Sequence, residues 1–409
     1  MKILLVNKFF FRKGGAETVL FQEREMLQAA GVEVIDFSMQ HARNFPSPQA
    51  DFFVSNVELD RDHNALDSLK IAANFIHNRE ACAKLAALIR QERPDIVHFH
   101  NIYHQLTPSI IRVAKQMGCK TVLTAHDLKI ACPSYKMLRD GKPCELCSHG
   151  SVWNATRYRC QDGSLGKSLL LSLEAQYHLW RKSYQDVDVF IAPSQFMAGM
   201  IRRRLPHADI RVIVNGMDAS AITPAKAEDD QGYFLFLGRL MPEKGVETLA
   251  KAQQKMRHPA ALHIVGEGPL QAHLQQHYPH AQLLGFMQGE ALNAQLRHCR
   301  AVVVPSEIYE NCSMSVLEGM AWGKPVLGTR IGGIPEQIRD GEEGFLFGFA
   351  DADELAAKMD ILAQDSALAH QMGRHARQHL LDNYTLQAHQ AALLALYREL
   401  HPESQRTSY

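Results

Sequence analysis

Residues 301–321 read AVVVPSEIYENCSMSVLEGMA, and the fold is decided there. Residues 301–304 are an apolar, β-branched run of the kind that forms a buried strand. Residues 311–315 supply small polar side chains suited to opening a helix, which the spacing places near Ser313. The unit is strand, loop, helix, the repeating step of a parallel α/β layer. A helix start presents free backbone N–H groups and a positive dipole end, which together make a ready phosphate site. Glu310 stands in the loop, and Glu318 falls about one turn inside the helix. Carboxylates accept hydrogen bonds from hydroxyls while the N–H groups hold phosphates, so the pair suits a sugar bearing a diphosphate. Two glutamates at this separation also arise by chance, so the reading depends on what accompanies them.

Outward from this unit, strand-like and helix-like segments alternate along the whole chain, which predicts an α/β protein with parallel sheets. The apolar runs of the first half lie at 3–6, 32–37, 96–99, 121–125 and 189–192. Those of the second lie at 233–237, 262–265, 282–284, 301–304 and 326–327. Helical patterns fall between them, as at 17–30 and 246–256. Residues 206–230 are richer in Pro, Asp and Ala and contain the turn dipeptide Asn215-Gly216. The expected division is therefore a first domain over 1–205, a second over 206–383, and a segment 384–409 whose helix, capped by Thr385, crosses back to the first. Two Rossmann-like domains would face one another across a cleft, with ligands beyond the carboxyl ends of the strands.

Composition narrows the function classes. The 409 residues carry 44 basic and 44 acidic side chains, with 46% hydrophobic and 22% charged residues. That balance fits a globular protein and gives no electrostatic footprint for nucleic acid. Residues 1–11 lack a usual apolar signal core and cleavage site, and no window approaches a membrane span. A cytoplasmic protein is the expectation.

Four motifs follow strands, where site residues are expected. Gly14-Gly15-Ala16-Glu17 opens a helix, and its glycines permit close approach of a phosphate or sugar, although any tight strand-to-helix turn could use them. Gly238-Arg239-Leu240-Met241-Pro242-Glu243-Lys244-Gly245 brackets a loop with two cations. Arg grips a phosphate bidentately and Lys acts as a point charge; solvated surface cations are the plain alternative. Gly266-Glu267-Gly268 lacks the third glycine of a dinucleotide fingerprint and reads as a tight turn. Thr124-Ala125-His126-Asp127 puts His126 at the cleft mouth, as a structural hydrogen bonder or a substrate contact. His98, His100 and His104 read as strand and loop residues, with His100 and Asn101 within reach of substrate.

The ordered set Gly14-Gly15, His126, Pro193-Ser194, Asn215-Gly216-Met217-Asp218, Gly238-Arg239 to Lys244-Gly245, Gly266-Glu267-Gly268, Glu310 to Glu318 and Gly332-Gly333 to Glu336 resembles family 4 glycosyltransferases of the GT-B fold over nearly the whole chain. The resemblance implies retaining transfer of a sugar from a nucleotide diphosphate donor to a glycan or lipid-linked acceptor, in a setting such as bacterial surface polysaccharide or lipopolysaccharide assembly. Arg239 and Lys244 would hold the diphosphate. Backbone groups of Asn311, Cys312, Ser313 and Met314 would meet the sugar and phosphates. Glu318 would bind the ribose, Glu310 the donor sugar, backbone at Phe286 and Met287 the base, and His126 the sugar from the opposite domain. Gly14 and Gly15 would approach the donor. Where relatives often carry Gly-Phe-Gly after the first glutamate, this chain has Asn311-Cys312-Ser313.

Asp186-Val187-Asp188 leads straight into a strand and Asp351-Ala352-Asp353 reads as a helix cap, so catalysis is expected to need no metal. Cys132, Cys144, Cys147 and Cys160 cluster within an insert at 130–162, where a structural zinc is the expectation over disulfides. The segment 165–184, with Leu169, Leu170, Leu173, Trp180, Lys167, Arg181 and Lys182, and Arg202-Arg203-Arg204 nearby, is either a packed helix with a solvated rim or a face that rests on an anionic membrane. Two rival readings stay open. One is a nucleotide-sugar epimerase on the same fold; the other is a catalytically silent binding or regulatory subunit.

Overall fold

The computed structural model describes residues 1–56 and 65–401; residues 402–409 of the expected C-terminal segment lie outside them. In chain order the strands are β1 (Lys2–Val6), β2 (Glu33–Phe37), β3 (Ile96–Phe99), β4 (Lys120–Thr124), β5 (Leu138–Arg139), β6 (Lys142–Pro143), β7 (Val189–Ala192) and β8 (Ile210–Val212). The second half contributes β9 (Phe234–Leu237), β10 (Leu262–Val265), β11 (Ala281–Gly285), β12 (Ala301–Val304), β13 (Val326–Thr329) and β14 (Gly344–Phe347). Two parallel six-stranded sheets result, ordered β2-β1-β3-β4-β7-β8 and β11-β10-β9-β12-β13-β14, while β5 and β6 form a small antiparallel hairpin within the cysteine insert.

Strands β3, β7, β10 and β12 fall where the apolar runs put them. Strands β8 and β14 were not foreseen. Ile-Arg-Val in β8 is too short and mixed to give a period, and β14 opens on a glycine behind an acidic turn. Strand β8 pairs with β7, so the chain leaves the first sheet after Val212 rather than at 205.

The strand order places the site. It reverses between β1 and β3 in the first sheet and between β9 and β12 in the second. Such switch points open a crevice outside the carboxyl ends of the strands. The loop with Gly14-Gly15 follows β1, the Arg239–Lys244 loop follows β9, and the Glu310 loop follows β12.

The helix Leu386–Leu400, capped by Thr385, does cross back. Leu393, Leu396 and Tyr397 pack with Ile3, Leu5, Ile96, Val122, Val189 and Ile191 of the first sheet. Burying each of those leucines contributes about 1.5–3 kcal/mol, which ties the chain's end to the first domain. Glu336 of the second half makes another tie. Its Oε2 accepts from the Gln195 N–H at 2.7 Å and its Oε1 from the Phe196 N–H at 2.6 Å. Those are orphan donors at the start of the helix Gln195–Arg204.

Candidate functional site

Glu310 is the centre of the second domain's cleft face. Its Oε1 accepts from Lys244 Nζ at 2.6 Å and from Ser306 Oγ at 2.7 Å. Burial pushes the carboxyl's pKa up, but Lys244, Ser306 and the more distant Arg239 outweigh it and hold the group below the ordinary carboxylate value. Glu310 is therefore an ionised acceptor at neutral pH. Arg239 is exposed and its guanidinium makes no hydrogen bond or ion pair among the described residues, so it remains available to an anion.

The expected helix forms as Met314–Ala321, with Ser313 as its N-cap and no side-chain capping bond. The Ser313 N–H itself is taken by Gln337 Oε1 at 2.8 Å. The open donors of this helix start are therefore those from Met314 onward. Cys312 is 7% exposed, its thiol pushed up to about 12 by burial; only its backbone is on offer. The Glu310 loop is seated on Gly332-Gly333. Gly332 has φ +60°, and a Cβ on Gly333 would stand 1.9 Å from the Asn311 carbonyl oxygen. Glycine is needed there so that the two loops touch. Glu318 lies inside the helix, its carboxyl without a hydrogen-bond partner among the described residues, and burial pushes that carboxyl up to about 7. An under-partnered carboxylate beside open N–H groups is suited to a hydroxyl-rich ligand.

Across the cleft, Gly14 and Gly15 begin the helix Gly15–Ala29 and are exposed. A Cβ at Gly15 would meet nothing of the protein within 4 Å, so packing does not demand glycine and the space is open to a ligand. Asn311 reaches over from the second domain: its Nδ2 donates to the Ala125 carbonyl at 2.7 Å, and its Oδ1 accepts from Ser194 Oγ at 3.3 Å. That contact brings His126, the next residue, beside the Glu310 loop. His126 is partly exposed, and its Nε2 lies 2.9 Å from Nδ1 of His100. Phe286 is 67% exposed at the end of β11, with Met287 partly covered beside it. His98 and His100 are 0% and 1% exposed, so they stand behind His126 rather than at the substrate surface. His104 stacks on Phe75 at 4.2 Å between ring centroids.

The cysteine insert also meets the second domain. Lys136 Nζ pairs with Glu243 at 3.2 Å, and Tyr309 Oη donates to Glu145 at 2.8 Å, while Arg203 pairs with that same Glu145. Both contacts land on the loops that carry Lys244 and Glu310. All eight cysteines are free thiols. The Cys147 thiol donates to the Cys132 sulfur, which lowers the Cys132 pKa to about 6. Cys144 and Cys160 act on Cys147 by charge alone. Among the described residues the one group of three ligand types with atoms within 4.8 Å of one another is Glu23, His98 and His100, not the cysteines. In the two Asp pairs, Asp188 accepts from Lys115 and from the Thr121 N–H, and Asp351 caps the helix Ala352–Gln364.

Known proteins agree with this architecture. The model for glycosyltransferase family 4 matches residues 13–221, and that for glycosyl transferases group 1 matches residues 220–379. An uncharacterized glycosyltransferase of Methanocaldococcus jannaschii is 26% identical over 296 residues, 71% of this chain and 72% of its own. The sulfoquinovosyl transferase of Arabidopsis thaliana is 25% identical over 72% of this chain, which spans 55% of that longer protein. Among solved structures, sucrose-phosphate synthase of Thermosynechococcus elongatus superposes with a TM-score of 0.72 at 20% identity over 98% of both chains. Anabaena HepE in complex with UDP superposes at 0.64 with 16% identity, over 98% of this chain and 100% of its own. The two parallel α/β domains are those of the GT-B fold. With both halves matched in order and the site loops at both switch points, the chain belongs to glycosyltransferase family 4.

Proposed function

We propose that this glycosyltransferase moves a sugar, with retention, from a nucleotide diphosphate sugar to a hydroxyl of a glycan or lipid-linked acceptor. The observation that carries the reading is the Lys244–Glu310 pair at 2.6 Å, beside an exposed Arg239 and an uncapped helix start. Arg239, Lys244 and the N–H groups from Met314 onward stabilise charge as it develops on the departing diphosphate, most strongly where water is excluded. Closure of the domains through the Asn311–Ala125 and Glu336–Gln195 contacts supplies that exclusion. Glu318 accepts from the ribose hydroxyls. Glu310 orients the sugar and does not attack it, because its carboxylate is already engaged by Lys244 and Ser306. The acceptor hydroxyl attacks from the leaving-group face; its oxygen bonds to the anomeric carbon as the bond to the diphosphate breaks. A phosphate oxygen takes the proton.

Solved structures of Anabaena HepE hold UDP and UDP-glucose, which supports a nucleotide-sugar donor here. A curated relative is a lipopolysaccharide N-acetylglucosaminetransferase of Salmonella typhimurium, 28% identical over 38% of this chain; it favours a surface-polysaccharide role at the inner face of the membrane. Leu165, Leu169, Leu173 and Trp180, exposed by 53, 39, 41 and 75%, share one face of the helix Leu165–Trp180. With Arg181 and Lys182 just beyond its last turn, that face suits an anionic bilayer surface. No described helix is long and apolar enough to cross one. A structural zinc held by Cys132, Cys144, Cys147 and Cys160 belongs to the same reading and would require Cys144 and Cys160 to draw in. A thermal-shift panel of nucleoside diphosphates and their sugar conjugates, without added metal, tests the donor site. Selective stabilisation by one base is expected; no shift from folded protein would favour a silent binding subunit.

A further inference from the structure

Behind His126 lies a chain of buried polar groups that the transfer chemistry does not use. His389, on the C-terminal helix, sets its Nδ1 2.7 Å from the Val214 carbonyl and its Nε2 3.1 Å from Glu23 Oε1. A carbonyl only accepts, and an ionised carboxylate only accepts, so both nitrogens of His389 carry protons. The other oxygen, Glu23 Oε2, faces His100 Nε2 at 3.5 Å and His98 Nδ1 at 3.7 Å. His98 is already committed, with Nδ1 2.7 Å from Tyr397 Oη and Nε2 2.7 Å from Thr124 Oγ1. Its single lone pair is therefore already taken by a hydroxyl and is not free for a metal ion. Glu23, His98, His100 and His389 are each 4% exposed or less, so water does not scramble the order.

The proton positions propagate outward. At 3.5 Å Glu23 Oε2 and His100 Nε2 make no hydrogen bond, and neither has another partner among the described residues. The carboxylate's charge sets the proton on Nε2, the nitrogen that faces it, which leaves Nδ1 as a bare acceptor. His126 Nε2, 2.9 Å away, must then be the donor. In a neutral imidazole only one nitrogen is protonated, so Nδ1 of His126 is bare as well. Nothing among the described residues bonds to that atom, and His126 is partly exposed at the cleft. Resting on the assignment of His126 to the donor sugar, we infer that Glu23, acting through His100, is a positioning residue that fixes His126 as a hydrogen-bond acceptor. The cleft therefore selects a donor sugar that presents a hydroxyl there and rejects one that presents a carboxylate. A hydroxyl donates to the bare Nδ1, whereas a carboxylate and the lone pair both accept and repel. Burial favours the same neutral state, lowering the His126 pKa to about 4.

Nitrogen-15 NMR of histidine-labelled protein reads the tautomer directly, with His126 assigned by its loss in His126→Gln. The wild type is expected to show protonated Nε2 and bare Nδ1 on His126. Glu23→Gln removes the charge that orders the chain and is expected to give mixed tautomers, with KM for the sugar conjugate raised about 5-fold, the worth of one hydrogen bond. Affinity for the nucleoside diphosphate alone should not change. Glu23→Asp, which keeps the charge, should restore the wild-type signal in part. The wild type should also use a hexose conjugate at least tenfold better than the hexuronate on the same nucleotide. A proton on Nδ1 in the wild type, an unchanged His126 spectrum in a folded Glu23→Gln, or equal use of the hexuronate overturns the inference. Absence of any nucleotide binding would instead remove the donor reading, since the tautomer measurement needs no donor.

Discussion

Lys244 Nζ lies 2.6 Å from Glu310 Oε1, so the cation expected to grip the diphosphate is engaged with the carboxylate expected to face the sugar. Each satisfies the other before substrate arrives, and donor binding has to divide Lys244 between phosphate and carboxylate. Glu310→Gln removes that competition. Nucleoside diphosphate affinity should rise by a few fold, about the worth of a weakened ion pair, while turnover falls by about 100-fold because the sugar loses its orienting charge. Calorimetry with the diphosphate and steady-state kinetics with its sugar conjugate separate the two effects. A parallel loss in both would mean that Glu310 holds the loop together and does no more.

Arg239 has no such competitor. It is exposed, and its influence on the site is carried by charge, felt at Glu310. Arg239→Ala should leave the melting temperature unchanged and cost about 1.5–3 kcal/mol of donor binding or turnover, roughly 10- to 150-fold. Arg239→Lys should recover only part of this, since a point charge cannot replace a bidentate fork. Unchanged kinetics in the alanine variant would sink the assignment.

Glu318 predicts a pH dependence. Burial pushes its carboxyl up to about 7, so the acceptor form needed by ribose hydroxyls disappears as pH falls through 7. Nucleotide affinity should drop toward tenfold per pH unit below that point, and Glu318→Gln should flatten the profile. Stability moves the other way. The folded pKa is above the unfolded one, so the native state holds the extra proton, and stability is lost as pH rises from the unfolded pKa through about 7. At pH 8 Glu318→Gln should therefore be more stable than wild type by about 2–3 kcal/mol, read by denaturant titration. A destabilised variant at pH 8 would place the carboxylate in a favourable contact.

How much of this the chain announces depends on the length scale of the contact. Ala301–Val304 is an uninterrupted apolar run, and the strand, loop and helix that follow are local consequences of it. Arg239 and Lys244 are legible because both flank one loop next to a strand end. The Ser313 N–H was expected to meet phosphate, yet Gln337, 24 residues further on, takes it. His100 reads as a strand-end residue within reach of substrate, not as a link behind His126. Its role depends on Glu23 and, through it, on His389, which is 366 residues from Glu23. No local pattern encodes that pairing. The only available signal was that the predicted last helix, bearing His389, returns to the first domain.

The insert offers the last test. Cys132 and Cys147 already share a hydrogen bond, and the hairpin of β5 and β6 lies between Cys132 and Cys144. Drawing Cys144 and Cys160 onto a common ion would fix the segment that carries Lys136 and Glu145. Those two residues reach the loops of Lys244 and Glu310 through Glu243 and Tyr309. Freshly purified protein should contain about one zinc per chain by elemental analysis, the stoichiometry of a four-thiolate site. Cys144→Ser should lose the metal and raise the KM for the sugar conjugate several-fold, while kcat stays within about twofold because no ligand of the ion touches the reacting atoms. Lys136→Ala should reproduce the KM effect with zinc retained. Metal-free protein with normal kinetics would leave the four thiols as packing residues, whereas zinc with no KM effect in either variant would confine the ion to the fold of the insert.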